Sequence, residues 1–226
     1  MIDFKKTDKQ FYQPSGVSVV DVPQMTFIAV DGHGDPSSST EYVSAIEMLY
    51  TLSYAIKMTN KAVMEYVVPP LEGLWDIDQV GAAADESSLP VPHPDELLEG
   101  VFPTELDKSK FVWTMMIRQP DFVTESVLET ARKGLAKKRV KLDTTPAHLI
   151  TITEGLCVQA MHLGSYDDEP PTIAAMDEYA TAHGFVPDFT NARRHHEIYL
   201  SDPRKTAPDK LKTVLRLPVS QGSVSG

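Results

Sequence analysis

The sequence has little cysteine and little positive charge, and both shortages limit what the protein can do. A single cysteine, Cys157, stands among apolar residues in GLCVQAM, so no disulfide can form within the chain and a small buried thiol is predicted. The 21 Lys and Arg residues are outnumbered by 32 Asp and Glu residues, which gives a formal net charge of -11. Nucleic-acid binding depends on Lys and Arg, so no nucleic-acid partner is expected, and neutral or cationic partners are favoured.

Long apolar runs and nucleotide-binding motifs are also lacking. No segment approaches the length of a membrane span and the N-terminus does not resemble a signal peptide, so no membrane partner and a cytoplasmic location are expected. Neither Gly-x-Gly-x-x-Gly nor Gly-Lys-Ser/Thr occurs, so no nucleotide and no other cofactor is predicted. About sixteen residues precede the first predicted strand, too few for a helix-turn-helix, which disfavours a DNA-binding regulator.

The first half of the chain carries strand and helix patterns in alternation. The stretch 17–30 is typical of two short strands broken at Pro23, and 37–58 has helical apolar spacing, with Ser38 and Glu41 as a capping box. EYVVPP predicts a strand and a turn, and FVWTMMIRQP another strand. Between them, 76–110 is predicted to be a variable excursion rich in Pro and acids.

The second half has a similar order. An amphipathic helix is predicted over 121–141, and strands with a turn at Glu154–Gly155 over 147–166. Acids and prolines open the next predicted helix and Gly184 ends it, and HHEIYLSDP and KTVLRLPV supply the last two strands.

These elements indicate an internal duplication within one domain that spans 1–226. Each pseudo-repeat, about 17–120 and 147–219, reads strand–helix–strand–strand, and both end in an apolar–apolar–Arg–x–Pro pattern at Arg118 and Arg216. Neither half can bury its helix and sheet faces alone. We therefore expect an α+β fold whose halves associate about a pseudo-twofold axis, with a groove between them.

The stretch RRHHEIYLSD contains the first candidate site. In a strand, alternate residues face opposite sides, so His195, Glu197 and Tyr199 share one face, and His196 and Ile198 share the other. The adjacent histidines therefore cannot converge on one metal ion, and no metal site is predicted. Glu197 and Tyr199 line either a ligand site or an ordinary solvated face, and the residues alone leave these alternatives open.

Glu72 is the second candidate, because LEGLW surrounds it with apolar residues. A carboxylate in such a setting is either paired or partly protonated, and a protonated Glu can serve as a general acid near neutral pH. The alternative is a turn residue whose oxygens accept hydrogen bonds from amides around Gly73.

Other polar and aromatic residues fit either a pocket or the core. His162 is more often a satisfied core histidine than a catalyst, and the three acids before Pro170 are explained as a helix cap. If aromatic residues line a groove beside Glu72 and Glu197, they form a cage suited to flat aromatic or cationic small molecules. The predicted ligand-binding residues are Tyr66, Trp75, Trp113, His162, Tyr166 and Tyr199.

Several long motifs together resemble the GyrI-like small-molecule-binding family, in its stand-alone bacterial branch. They are FIAVDGHGDP, YVVPPLEGLW, WTMMIRQPDFVT, EGLCVQAMHLGSYDDEP and HHEIYLSDPRKTAPDKLKTVLRLPV. The resemblance implies an eight-stranded antiparallel sheet made of two strand–helix–strand–strand modules, with helices on one face and a ligand groove at their junction. It also implies that Glu197 is the pocket carboxylate and that Glu72 is a second catalytic candidate. Relatives often have another aromatic where this chain has Asp76, which leaves one pocket wall in doubt.

The resemblance leaves three classes of function. In the branch that this sequence is most similar to, the activity is hydrolysis of the cyclopropane in DNA-alkylating natural products. The chain would then be a detoxifying hydrolase, in which one of Glu72 and Glu197 activates water and the other assists at the developing oxyanion. The alternatives are a non-catalytic protein that binds or sequesters hydrophobic or cationic drugs, and a protein that interacts with DNA gyrase.

Overall fold

The computed structural model describes residues 1–77 and 107–222, so most of the predicted excursion over 76–110 lies outside the described residues. The helices are α1 Phe4–Thr7, α2 Lys9–Tyr12, α3 Thr40–Thr59, α4 Glu125–Lys137 and α5 Pro170–Ala182. The strands are β1 Ser18–Val22, β2 Met25–His33, β3 Leu71–Ile77, β4 Phe111–Gln119, β5 His148–Ile152, β6 Gly155–Leu163, β7 Phe185–Pro187, β8 His195–Tyr199 and β9 Lys212–Gln221.

Eight of these strands form one antiparallel sheet in the order β1-β6-β9-β8-β3-β4-β2-β5, and the short β7 pairs with β9 as a ninth strand. The predicted α+β class is confirmed, with β7 as an addition to the expected eight strands. Strands β2, β3 and β4 come from the first half of the chain, and β6, β8 and β9 from the second. The halves meet where β3 pairs with β8.

The three long helices cover one side of the sheet, called the front face here. Helices α3 and α4 bury Leu49, Leu52 and Leu128 against Trp113 and Ile117, and α5 packs on Leu215 and its neighbours. Burial of these apolar side chains is the main stabilising contribution of this layer. Helix α3 begins one residue later than predicted, because Ser39 accepts the hydrogen bond from the amide of Tyr42. The predicted capping box of Ser38 and Glu41 is therefore wrong by one position.

The opposite side of the sheet, the rear face, is covered by the two short N-terminal helices. Phe11 and Tyr12 of α2 pack in an apolar cluster with strand residues that include Met116, Ile198 and Val214. The prediction of helices on one face therefore holds only for the three long ones. The arginines of the repeated pattern contact the N-terminal segment on the rear face. The Arg118 guanidinium pairs with Asp8, and Arg216 donates to the carbonyl of Phe11.

The turn residues act as the sequence predicted. Pro23 lies between β1 and β2, and Gly155, with a φ of +65°, begins β6 directly after the turn from β5. Gly184, with a φ of +75°, follows the end of α5, a conformation that L-residues seldom adopt. None of the helices within 1–77 and 107–222 has the length and apolar character needed to cross a bilayer.

Candidate functional site

The candidate site lies on the front face at the β3–β8 junction. Gly73 pairs with Glu197, Leu71 with Tyr199 and Trp75 with His195. Paired residues point to the same side of a sheet, so His195, Glu197 and Tyr199 share the front face with Trp75. The side chains of His195 and Glu197 are 20% and 13% exposed, and His195 Nε2 lies 3.2 Å from Glu197 Oε1.

Aromatic rings surround the two polar groups. The indole N–H of Trp75 donates to the hydroxyl of Tyr199 over 2.9 Å, which fixes both rings. Tyr166 meets Tyr199 edge to face at 5.7 Å, and Tyr42 of α3 lies 6.2 Å from Trp75. Burial and the charge of Glu197 raise the pKa of Tyr166 to about 12, so its hydroxyl is neutral at ordinary pH. These rings present flat apolar surfaces and hydroxyl groups to the carboxylate.

The site depends on a glycine that leaves room for the Trp75–Tyr199 pair. A Cβ atom at Gly73 would lie 2.9 Å from Trp75 Nε1 and 3.2 Å from the Tyr199 hydroxyl, closer than such atoms normally approach. The glycine of LEGLW is therefore explained by close packing of the aromatic wall.

Glu169 completes the site from α5. It is the N-cap residue of that helix, yet its side chain forms no capping hydrogen bond. Glu169 is 8% exposed, and its Oε1 has no hydrogen-bond partner among the described residues. Ligand atoms of Glu169, His195 and Glu197 all lie within 4.8 Å of one another, a spacing at which they could hold a cation. We call these three residues, with Trp75, Tyr166 and Tyr199, the front cluster.

The environment of Glu169 favours its neutral form. Burial raises its pKa to about 10, and the negative charges of Glu197 and Asp167 contribute to the increase. Across the described residues, no Lys or Arg forms an ion pair with Glu169 or Glu197, and the remaining residues contain neither amino acid. The front cluster therefore places two carboxyl groups close together in an aromatic setting.

Glu72 lies on the rear face. It pairs with Ile198 in the sheet register and is 2% exposed. Its Oε2 is 3.0 Å from His196 Nε2, and its Oε1 accepts a 3.4 Å hydrogen bond from Tyr12. Glu72 and Glu197, which were predicted to act on one ligand, therefore face opposite sides of the sheet. A catalytic role for Glu72 stays a prediction.

A buried ionic cluster forms around Glu72. His196 Nδ1 lies 2.8 Å from Glu154 Oε1, and Arg216 Nη1 lies 2.6 Å from Glu154 Oε2. Burial alone would lower the pKa of His196, but Glu154 and Glu72 outweigh burial and raise the pKa to about 9. Burial alone would raise the pKa of Glu154, but Arg216 and His196 lower it to about 2. We call Glu72, Glu154, His196 and Arg216 the rear cluster.

The other predicted residues lie around the site or away from it. His162 is buried, and its two ring nitrogens contact Thr172 Oγ1 and the Ser165 carbonyl, both at 2.9 Å, so it holds the turn that carries Tyr166. Trp113 is fully buried behind Tyr42, with ring centroids 5.3 Å apart. Tyr66 lies in the loop after α3, outside the front cluster, and it is fully buried beside Phe122.

Sequence reasoning missed Glu169. The three acids before Pro170 were interpreted as a helix cap, but each has a different environment. Asp168 accepts from the Ser165 hydroxyl, Asp167 pairs with Lys108, and Glu169 points toward Glu197. Position along the chain gave no usable signal, because acids before a helix usually cap it.

The fold and the front cluster define a class of small-molecule-binding domains, with aromatic walls and buried carboxyl groups. The model of one family, the GyrI-like small molecule binding domain, matches residues 16–220. The chain therefore belongs to the GyrI-like family. A search of curated proteins gave no match.

Solved structures from Listeria innocua share the fold over nearly all of the chain. One, described as a hydrolase, is 40% identical, with a TM-score of 0.80 over 97% of this chain and 100% of that chain. Another, described as an uncharacterized conserved protein, is 41% identical, with a TM-score of 0.81 and the same coverage. The EcmrR–DNA complex, at 12% identity and a TM-score of 0.52 over 96% of this chain and 62% of that chain, shows a likeness of fold alone.

Proposed function

We propose that the front cluster binds an aromatic small molecule and adds water to an electrophilic, strained ring within it. Flat rings on several sides favour an aromatic ligand, and the carboxyl groups supply the polar contacts that orient it. The family match supports small-molecule binding, and the description of a 40% identical relative as a hydrolase supports the addition of water. The substrate class is the cyclopropane of DNA-alkylating compounds, as the family resemblance implies, and the proposed step takes the ring as conjugated to a carbonyl group.

The chemistry assigns one role to each carboxyl group of the front cluster. Glu197 accepts a proton from water as the water oxygen bonds to a ring carbon. The strained carbon–carbon bond breaks, and its electron pair moves through the conjugated system to the carbonyl oxygen. Glu169 donates its proton to that oxygen, which gives the neutral hydrated product. The proton then returns from Glu197 to Glu169, so atoms and charge balance over the cycle.

The observation that carries this proposal is the unequal pair of carboxyl groups. Glu169 is buried without a counter-charge, whereas Glu197 lies beside His195. A general acid and a general base in one site need environments that separate their protonation states, and such a pair is the usual indication of acid–base chemistry. Glu169 therefore takes the place that the sequence gave to Glu72, and Glu72 supports β8 from the rear face.

The decisive experiment is to incubate the purified protein with a panel of cyclopropane-bearing aromatic electrophiles and measure a gain of one water by mass spectrometry. Glu169→Gln and Glu197→Gln are each expected to lower the rate by about 100-fold, the contribution typical of a positioned acid or base. Glu129→Gln, an exposed control on α4, should retain full activity. Full turnover by the double variant Glu169→Gln/Glu197→Gln would overturn the proposal.

A non-catalytic binding role is the second candidate, because aromatic walls and carboxyl groups also suit drug sequestration. Recovery of bound compounds unchanged after prolonged incubation, with affinity that depends on Glu197, would favour binding over hydrolysis. A cytoplasmic location, expected from the sequence, is part of this proposal.

A further inference from the structure

The basic residues of this acidic chain are concentrated in one place, at the end of α4 and in the loop that leads to β5. Six of the 21 Lys and Arg residues lie within 132–141, and 130–142 contains no acid. The other 15 basic residues are set against 32 acids, so the remainder of the chain carries a formal charge of -17. The molecule therefore has one positive region on an otherwise negative chain.

Five of these six basic side chains are exposed. Arg132 pairs with Glu129, whereas the other five form no ion pair within residues 1–77 and 107–222; they are Lys133, Lys137, Lys138, Arg139 and Lys141. We call these five residues, together with Val140, the basic patch. The dipole of α4 favours bases in its last turn, which accounts for Lys137 but not for the bases beyond the helix.

Arg139 has a backbone conformation that costs stability. Its φ of +55° is left-handed, a region that favours glycine. Its N–H donates to the carbonyl of Ala136, and the N–H of Val140 donates to the carbonyl of Leu135. This is the Schellman arrangement of a helix end, in which glycine usually occupies the position of Arg139. An arginine that is kept in a strained position is expected where the charge itself is needed.

We propose that the basic patch binds the surface of an anionic lipid membrane. The expectation of no membrane partner rested on the lack of a spanning segment and of a signal peptide, and surface binding needs neither. Each base near an anionic membrane strengthens binding by about fivefold. Val140, which is 40% exposed, lies between Arg139 and Lys141 and supplies an apolar side chain for the headgroup region. At about 0.1 M salt, charges more than about 10 Å away are screened, so distant acids oppose this contact weakly.

Nucleic acids and acidic proteins fit the basic patch less well. The patch contains no aromatic residue on which a base could stack. Three of its five bases lie beyond α4, so it offers no basic helix face that could enter a groove. Four of the five bases are lysines, which are depleted in protein–protein interfaces. A lipid surface is the partner that uses both the lysines and the exposed Val140.

Co-sedimentation of the full chain with vesicles tests this proposal. Vesicles of phosphatidylcholine alone are compared with vesicles that contain about 40% phosphatidylglycerol, at about 0.05 M NaCl. We expect binding to the anionic vesicles only, and a loss of at least about tenfold when NaCl is raised to about 0.5 M. Equal binding to both kinds of vesicle, binding to neither, or tighter binding to duplex DNA or polyglutamate than to anionic vesicles would overturn the proposal.

Paired variants separate the basic patch from the net charge of the chain. Lys138→Gln/Lys141→Gln should weaken binding to anionic vesicles by about 25-fold, at about fivefold for each base. Lys61→Gln/Lys210→Gln makes the same change in net charge at two exposed positions outside the patch, and it should bind within about twofold of the wild type. An equal loss in both double variants would contradict the assignment to the patch.

Arg139→Gly separates contact with the membrane from a role in the fold. This variant should weaken vesicle binding by about fivefold, while its midpoint of urea unfolding equals or exceeds that of the wild type, because glycine adopts the left-handed conformation readily. Val140→Asn should also weaken vesicle binding, by about threefold, because it removes the apolar side chain. If Arg139→Gly lowered stability and left vesicle binding unchanged, Arg139 would be a structural residue and the proposal would be wrong.

Discussion

Replacing Glu169 with glutamine should stabilise the protein near neutral pH, although the residue belongs to the proposed site. The pKa of Glu169 is raised from 4.5 in the unfolded chain to about 10 in the folded protein. Between about pH 4.5 and 10, the folded state therefore holds a proton that the unfolded state has lost. The contribution of Glu169 to the free energy of unfolding is complete below about pH 4.5 and declines as the pH rises toward 10. A group of this kind is retained because of what it does, at a cost to stability.

The magnitude follows from the pKa shift. One pKa unit corresponds to about 1.4 kcal/mol, so holding the proton at about pH 7, some 2.5 units above the unfolded pKa, costs about 3 kcal/mol. Glutamine carries no titratable proton, but an amide without a hydrogen-bond partner costs about 1 kcal/mol. The expected net gain at about pH 7 is thus roughly 2 kcal/mol. At about pH 4 the gain disappears, and the variant should be less stable by about 1 kcal/mol.

Urea unfolding followed by circular dichroism, at about pH 4, 5.5, 7 and 8.5, measures this difference through the free energy extrapolated to water. The advantage of Glu169→Gln should grow by up to about 1.4 kcal/mol per pH unit. Glu129→Gln, which changes an exposed carboxylate, should show no such trend. A loss of stability in Glu169→Gln that is the same at every pH would refute the reasoning, because it would mean that Glu169 has no raised pKa.

Three further predictions concern the aromatic wall, the rear cluster and metal dependence. Gly73→Ala should weaken aromatic-ligand binding by about tenfold in a fluorescence titration, because the new methyl displaces Trp75; Gly134→Ala, with nothing near its Cβ, should bind normally. His196→Gln should cost about 3 to 5 kcal/mol in urea unfolding, since Arg216 still pairs with Glu154 but Glu72 loses its charged neighbour. In the wild type, the contribution of His196 to the free energy of unfolding is complete below about pH 6.5 and is lost as the pH rises through about 9. An assigned His196 resonance that titrates near pH 6.5 would contradict this. Extensive dialysis against EDTA should leave ligand binding unchanged, and a loss restored by a divalent metal would contradict the prediction that no metal is needed.

Local patterns were enough to predict most of the fold. Pro23 separates two strands, Gly155 follows a turn and Gly184 follows a helix, as predicted. These positions could be predicted because proline and glycine have distinct backbone preferences and the neighbouring residues indicate where an element ends. The faces of β8 were predicted for the same reason, because alternation along a strand needs no knowledge of its partners.

The site was harder to predict because its members come together through the sheet. Glu72 and Glu197 were both identified as unusual carboxylates, but only the register of β3 against β8 shows that they face opposite sides. The direct partners of Glu72 are distant in sequence, since Tyr12 comes from α2 and His196 from β8. Glu169 was hidden by its position, because acids before a helix usually cap it.

Strand β8 has a further consequence for how ligand preference could change. Positions 195, 197 and 199 face the proposed site on the front face, and positions 196 and 198 are buried on the other side in charged and apolar contacts. Substitutions at the first set alter recognition, whereas substitutions at the second set alter folding. A library that varies positions 195, 197 and 199 while keeping His196 and Ile198 would therefore explore new specificities on a scaffold that still folds, and natural divergence can follow the same route.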